Sequence, residues 1–566
     1  MNRRFVLLVV STLLLATVGF QSDASNADLV LVNARIWTGD AAHPWAEALA
    51  IRLHKILEAG SREEVMKRAF KATQVIDLGG KLVIPGFNDA HTHFLSGSMG
   101  LFQVDLVGTR TLAEAQQRVA EFAKAHPDEK WITGAGWEYS IFPGKRLPAR
   151  ADLDAVVRDR PVYLRAYDGH TGWANSKALE LARITRDSKF QGYGEVVLDA
   201  GTGEPSGVLK ESAQELVRRV ISAPSEETRL EALRQGFRLA ASLGITSLQN
   251  ASGNPEELAL YEKLKEKGGL TARASLAMSI GGQTSDRDIS RYSELKGEYP
   301  GPLLRAGAVK IVLDGVIEAH TAAMIEPYSD QPATSGSPSL SQTRLNELVS
   351  AADKAGLQVY IHAIGDRSVR MALDAYENAR SVNGVRDSRF RIEHIETIAS
   401  SDIPRFARLG VLASMEPIHA DPGTNEVWEP AIGPERARRG FAWRSLEKAG
   451  ARLVFSSDWP ATISVDPIRG LHNAVNRRTI DGKPEGGWIP QERISVESAL
   501  RAYTVSGAYA SFEEGIKGTL TPGMLADAVV LSQDLFRINP MDIYKTKVVM
   551  TIFDGKIIYR QPQDPH

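Results

Sequence analysis

The chain has no cysteine among its 566 residues. That absence excludes disulfides, thiolate metal ligands and a lipid-anchored N-terminal cysteine. It also means that the fold does not depend on an oxidising compartment. Charge of one sign is lacking too: 67 Lys and Arg balance 69 Asp and Glu, for a net charge of −2, with both signs mixed along the chain. There is no basic block to serve a nucleic acid and no acidic tail. Internal repeats and low-complexity segments are absent. What remains is ordinary for a soluble globular protein, with 43% apolar and 24% charged residues. The length suits one large catalytic domain and a smaller companion.

The first residues break this even texture. Arg3 and Arg4 precede an apolar run from Phe5 to Phe20, and Ser22-Asp23-Ala24 offers small residues for cleavage. The pattern is that of a secretory signal peptide over residues 1–24. A membrane anchor fits less well, because the run is short for a span and no positive flank follows it. The arginine pair matches a twin-arginine signal poorly. The expectation is an exported protein, periplasmic or secreted, with no stable membrane anchor after processing.

Beyond the leader, Leu29 to Trp37, Ala48 to Arg52 and Gln74 to Leu78 read as short strands. The C-terminus has the same character at Asp527 to Leu531, Lys547 to Ile552 and Gly555 to Tyr559. Neither end can build a core alone, so the two are expected to pair into one small β-sandwich from residues 26–84 and 513–566. Residues 85–512 alternate apolar runs with helical segments, the sign of a parallel α/β architecture. Eight core strands are expected, at Leu82 to Phe87, Ile245 to Gln249, Ala272 to Met278, Ala308 to Leu313, Gln358 to Ile361, Phe390 to Ile392, Val411 to Ser414 and Arg452 to Phe455. Amphipathic stretches such as Thr343 to Ala355 and Asp366 to Arg380 lie between them. The fold class is therefore a (β/α)8 barrel of the TIM type. The stretch 105–235 is too long for a loop and reads as an inserted subdomain.

The strand ends carry the chemistry. The first strand runs into His91-Thr92-His93, and residues two apart in an extended chain share a face, so both can hold one ion. The fifth strand ends at His362, the sixth at Glu393-His394 and the eighth at Ser456-Ser457-Asp458. In a parallel barrel these ends open on one face. Five metal-competent side chains thus converge from distant parts of the chain. The fourth strand is apolar except for Lys310. A buried ammonium must be paired, neutral or modified. Lys310 is either a carbamate able to bridge two ions or a lysine paired with Asp314 or another carboxylate. With nitrogen and oxygen donors alone, one or two divalent ions are expected, zinc foremost, with manganese, iron, cobalt or nickel as alternatives. Such an ion lowers the pKa of water and polarises a carbonyl, and Asp458 is the natural general base.

Several segments resemble a known group. Pro85-Gly86-Phe87-Asn88-Asp89-Ala90-His91-Thr92-His93 resembles the first-strand signature of the amidohydrolase superfamily. Asp168-Gly169-His170-Thr171-Gly172-Trp173-Ala174-Asn175-Ser176-Lys177-Ala178-Leu179 resembles a marker of its YtcJ-like branch, which includes N-substituted formamide deformylases. His362-Ala363-Ile364-Gly365-Asp366, Arg391-Ile392-Glu393-His394 and Ser457-Asp458-Trp459-Pro460 follow in that branch's order. The resemblance implies that His91, His93 and Asp458 bind a first metal, that carboxylated Lys310 bridges, and that His362 and His394 bind a second. It also implies that His170 reaches the substrate pocket, with His419 a further substrate contact. After Asp314-Gly315 the chain departs from the branch pattern, reading Val316-Ile317-Glu318-Ala319-His320-Thr321, which makes His320 a candidate for the pocket. The expected activity is hydrolysis of a non-peptide amide-type C–N bond, in an N-acyl, N-formyl or cyclic amide, on a small-molecule substrate. Deamination, lactone or ester opening, and non-catalytic solute binding are the competing readings. The sequence is compatible with a homo-oligomer.

Overall fold

The computed structural model describes residues 26–166, 171–191, 194–424 and 428–562. The leader at 1–24 and His170 lie outside the described residues.

Eight parallel strands follow one another around a single sheet in chain order. They are Phe87–Thr92 (β1), Ile245–Gly253 (β2), Arg273–Ser279 (β3), Leu304–Val312 (β4), Gln358–Ala363 (β5), Arg391–His394 (β6), Leu412–Met415 (β7) and Leu453–Phe455 (β8). The rim closes where the chain leaves β8. Asp458 N donates to His91 O at 2.8 Å and His93 N donates to Trp459 O at 2.8 Å. Ser457 adds its backbone N–H and hydroxyl to the Asp89 carboxylate at 2.9 and 2.6 Å. The (β/α)8 barrel expected from the apolar runs is thus the fold of the chain.

Local sequence explains the helices around it. Glu226–Ser242, Pro255–Glu266, Asp286–Glu298 and Gln342–Lys354 each start after a Ser or Asn whose side chain accepts an N–H of the first turn. Their apolar positions recur at helical spacing. In Gln342–Lys354 they are Leu345, Leu348, Val349 and Ala352, all buried.

The expected first barrel strand, Leu82 to Phe87, needs correction, because that apolar run divides between two sheets. Leu82–Pro85 pairs with Arg35–Trp37 and Ala528–Leu531 outside the barrel. The barrel strand starts at Phe87 and continues through buried Asn88, Asp89 and His91. The chain crosses from one sheet to the other at Gly86, where any Cβ would collide with the Thr246 side chain. Polarity hid this strand: its inward residues are polar because the barrel interior hydrogen-bonds them.

Two further sheets flank the barrel. A six-stranded sheet joins the termini, in the order Lys556–Arg560, Val548–Phe553, Ala528–Leu531, Leu82–Pro85, Arg35–Trp37 and Trp45–Ala46. A four-stranded sheet takes Lys55–Gly60, Ala48–Arg52, Leu29–Val32 and Gln74–Asp77. The run Leu29 to Trp37 serves both, because Asn33 breaks it with a left-handed φ of 50°. Leu31, Ile36, Leu49, Val530 and Ile552 form the core between them. The barrel is tied to this unit by buried Arg273, whose Nε donates to Asp527 Oδ2 at 2.7 Å.

Between β1 and β2 the chain builds a six-stranded mixed sheet from Val104 to Glu211, with Trp137 and Trp173 in its core. The helix Glu226–Ser242 that follows belongs to the barrel wall, its Phe237 ring 4.9 Å from that of Phe94. Among the described residues no helix is long and apolar enough to cross a membrane.

Candidate metal centre

The C-terminal ends of β1, β4, β5, β6 and β8 bring the predicted residues to one rim. His91 is fully buried on β1. Its Nδ1 lies 2.6 Å from Glu393 Oε2. Its Nε2 lies 3.3 Å from Lys310 Nζ and 3.4 Å from Asp458 Oδ1. His93, just beyond the strand, places Nε2 3.1 Å from the same Asp458 oxygen. The His394 ring lies 5.0 Å from that of His91 and 4.3 Å from that of His362. His362 Nε2 is 3.6 Å from Asp314 Oδ1.

The backbone is bent to aim these groups. His394, Ile395 and Asp458 all hold left-handed φ angles, of 74°, 51° and 59°. Such conformations cost non-glycine residues about 1–3 kcal/mol each and persist where surrounding structure imposes them. Here they follow β6 and β8, at the two points where the chain turns a ligand-bearing side chain into the mouth.

The donor set fits a divalent cation. His91, His394 and Asp458 each offer one ligand atom, all within 4.8 Å of one another. Both ring nitrogens of His394 and Asp458 Oδ1 are buried without a hydrogen-bond partner, although buried polar atoms are almost always satisfied. Burial, reinforced by neighbouring cations, pushes the His91 and His362 imidazoles well below the usual histidine range, which leaves them neutral with a lone pair to give. Burial would raise the Asp458 carboxyl. His93, His394 and His419 outweigh it and hold the group ionised, below the usual carboxylate range.

Lys310 is buried and its ammonium is pulled down by burial, partly offset by Glu393, Asp458 and Glu416. It does not pair with Asp314. That carboxylate instead accepts the backbone N–H groups of Ala323, Ile364 and Gly365 at 2.9, 3.1 and 2.9 Å. His419 stands at the cluster's edge. Its Nε2 is 3.0 Å from Ala461 O and 3.7 Å from Asp458 Oδ2, and its Nδ1 is 3.6 Å from Glu396 Oε1. His320 turns Nε2 to Asp330 at 2.9 Å and packs its ring 4.7 Å from that of Tyr328.

The structure adds residues that the sequence reading passed over. Glu393 binds His91 from behind and is itself clamped by Arg391, with Nε–Oε1 at 2.9 Å and Nη2–Oε2 at 3.1 Å. Glu416, one residue past β7, places Oε2 2.9 Å from His394 Nδ1. Glu396 accepts the Trp428 indole N–H at 2.8 Å and faces His419. A signal existed for one pair: Arg391 and Glu393 alternate on one face of a buried strand, which a barrel interior tolerates only as a paired network.

A model of the amidohydrolase family matches residues 74–559. The chain belongs to that family, and with the rim just described it is a metal-dependent hydrolase of the amidohydrolase superfamily. It is 34% identical to the protein LONG AFTER FAR-RED 3 of Arabidopsis thaliana, over 94% of this chain and 92% of that one. It is 29% identical to the putative amidohydrolase YtcJ of Bacillus subtilis, over 91% and 96% of the two chains. It is also 28% identical to the N-substituted formamide deformylase of Arthrobacter pascens, over 94% and 98%. Among solved structures, an uncharacterized metal-dependent hydrolase of Pyrococcus horikoshii superposes with a TM-score of 0.74 at 28% identity, covering 90% of this chain and 99% of the other.

Proposed function

We propose that the protein hydrolyses a non-peptide amide-type C–N bond, of an N-acyl, N-formyl or cyclic amide, in a small molecule. The observation that carries the reading is Asp458. Its carboxylate stands at the rim between His93 and His419, beside two histidines with unsatisfied or neutral nitrogens. His91, His93, His362, His394 and Asp458 would hold one or two divalent ions, zinc first among them by donor type. A cation bound there lowers the pKa of water and polarises the scissile carbonyl.

The chain's own residues do the rest. Asp458, beside His93 and His419, takes the proton of the attacking water and returns it to the leaving nitrogen. Glu393 holds the Nδ1 side of His91, so that Nε2 stays turned to the mouth. Lys310, whose ammonium burial disfavours, is placed to add carbon dioxide, which would form an N–C bond with loss of a proton and convert the amine into a carboxylate able to help hold a cation. His419, His320 and His170 are the candidate substrate contacts, and His419 lies 3.7 Å from Asp458. Support for an amide substrate comes from the formamide deformylase relative. Export follows from the N-terminal leader.

The test is turnover of N-substituted formamides, N-acyl amines, cyclic amides and lactones by metal-free and zinc-loaded protein. Amide cleavage in the loaded sample alone is expected. Equal turnover in both samples would remove the metal chemistry, and cleavage of lactones without amides would remove the C–N assignment.

A further inference from the structure

We propose that Glu416 is a positioning residue of the cation centre. Its role is to fix His394 from behind and to place a buried carboxylate beside the ligand set. The inference rests on the metal reading of the rim and assigns a role to a residue outside the ligand set.

Three observations carry it. The first is charge. Glu416 is 1% exposed, and among the described residues its ion-pair contacts are His91 and His394. Among the described residues no lysine or arginine lies within ion-pair distance of it, whereas the neighbouring Glu393 has Arg391 at 2.9 and 3.1 Å. A buried carboxylate without a cation is costly. The second is side. His91 turns Nδ1 toward Glu393 and Glu416, at 2.6 and 3.8 Å, and Nε2 toward Asp458 at 3.4 Å. Glu416 therefore lies behind the rings, across from the group that faces the mouth. The third is poise. Glu416 Oε1 is anchored by the Ser456 hydroxyl at 3.0 Å. Its Oε2 lies 2.9 Å from His394 Nδ1, out of line for an N–H bond, so both atoms are without a partner. With His394 Nε2 committed to a cation, the ring proton sits on Nδ1, and a small turn of either side chain would make Glu416 its acceptor.

Glu416, His394 and His419 could instead meet a cation directly, since each has a ligand atom within 4.8 Å of the others. The position behind His91 and the Ser456 anchor favour the outer role.

Glu416→Gln separates these cases. It keeps the size of the side chain and the acceptor for Ser456 but removes the charge. Zinc affinity, measured by chelator competition, is expected to fall about 10- to 100-fold. The unfolding temperature of the metal-free variant is expected to rise above that of metal-free wild type, because a buried carboxylate with an unpartnered oxygen is gone. Cobalt-loaded variant and wild type should share the same visible bands, since no ligand is lost. Unchanged zinc affinity, a lower metal-free unfolding temperature or failure to fold would each overturn the proposal. So would altered cobalt bands, which would make Glu416 a ligand. Ser456→Ala, which frees Glu416 from its anchor, should lower zinc affinity in the same direction, and no change there counts against the proposal. Wild-type protein that binds no zinc would instead overturn the metal reading itself.

Discussion

Arg391 offers a demanding test of how the centre is held. Its guanidinium is fully buried inside the barrel. It clamps Glu393 at two points, donates to Ala90 O at 2.7 Å and to Ser414 Oγ at 3.0 Å, and stacks 3.8 Å from the Tyr360 ring centroid. Arg391→Met removes the charge and leaves Glu393 buried with His91 as its remaining partner. Breaking one side of a buried pair costs about 3–5 kcal/mol. The double change Arg391→Met with Glu393→Leu removes both charges, and apolar replacement of such a pair ranges from neutral to stabilising. The double variant should therefore be more stable than the single one, with a coupling of about 2 kcal/mol or more. Urea unfolding of metal-free protein, followed by tryptophan fluorescence, measures it. Zinc affinity should behave differently. It stays about 10- to 100-fold weakened in the double variant, because His91 Nδ1 has lost its acceptor. A single variant that costs under about 1 kcal/mol, or a double variant no more stable than the single, would refute the reasoning.

Other consequences follow from single groups. Asp458→Asn should lower amide turnover about 10²- to 10⁴-fold, read by steady-state kinetics on zinc-loaded protein. Lys310→Ala should reduce loading from two ions toward one by elemental analysis, with activity partly restored by bicarbonate or short carboxylic acids. Gly97 packs on the Trp459 indole with no room for a Cβ, and Trp459 O accepts the His93 N–H. Gly97→Ala should thus cost about 1–3 kcal/mol by urea unfolding and also weaken zinc binding. Glu257, away from the rim on Pro255–Glu266, is raised by burial from 4.5 to about 7. Its folded value lies above its unfolded one, so its contribution is complete below pH 4.5 and is lost as pH rises to about 7. Glu257→Gln should remove about 3 kcal/mol of the wild-type loss across that window, read by urea unfolding of both proteins at stepped pH.

The barrel was legible because most of its strands are short apolar runs between amphipathic helices. Strands β3, β7 and β8 match the expected ranges to within one residue for that reason. Where the interior turns polar, the signal failed. The reading of β1 stopped at Phe87 and missed Asn88, Asp89 and His91 as strand residues, because their hydrogen bonds come from partners hundreds of residues away. The rim histidines and Asp458 stood out through their position at strand ends. Glu416 and Glu396 did not, since a carboxylate in a loop looks like a solvated one until its neighbour is known, and Glu393 on β6 carried a signal only when taken together with Arg391. Lys310 could be singled out as anomalous, but not its neighbour: the sequence offered nearby Asp314, and the fold delivers His91.

Anomalous diffraction at the zinc edge, from crystals of zinc-loaded protein, tests the central claim directly. A peak among His91, His93, His394 and Asp458 is expected, with His362 and Lys310 beside a second. Stoichiometric zinc found elsewhere, with no peak at this rim, would contradict it.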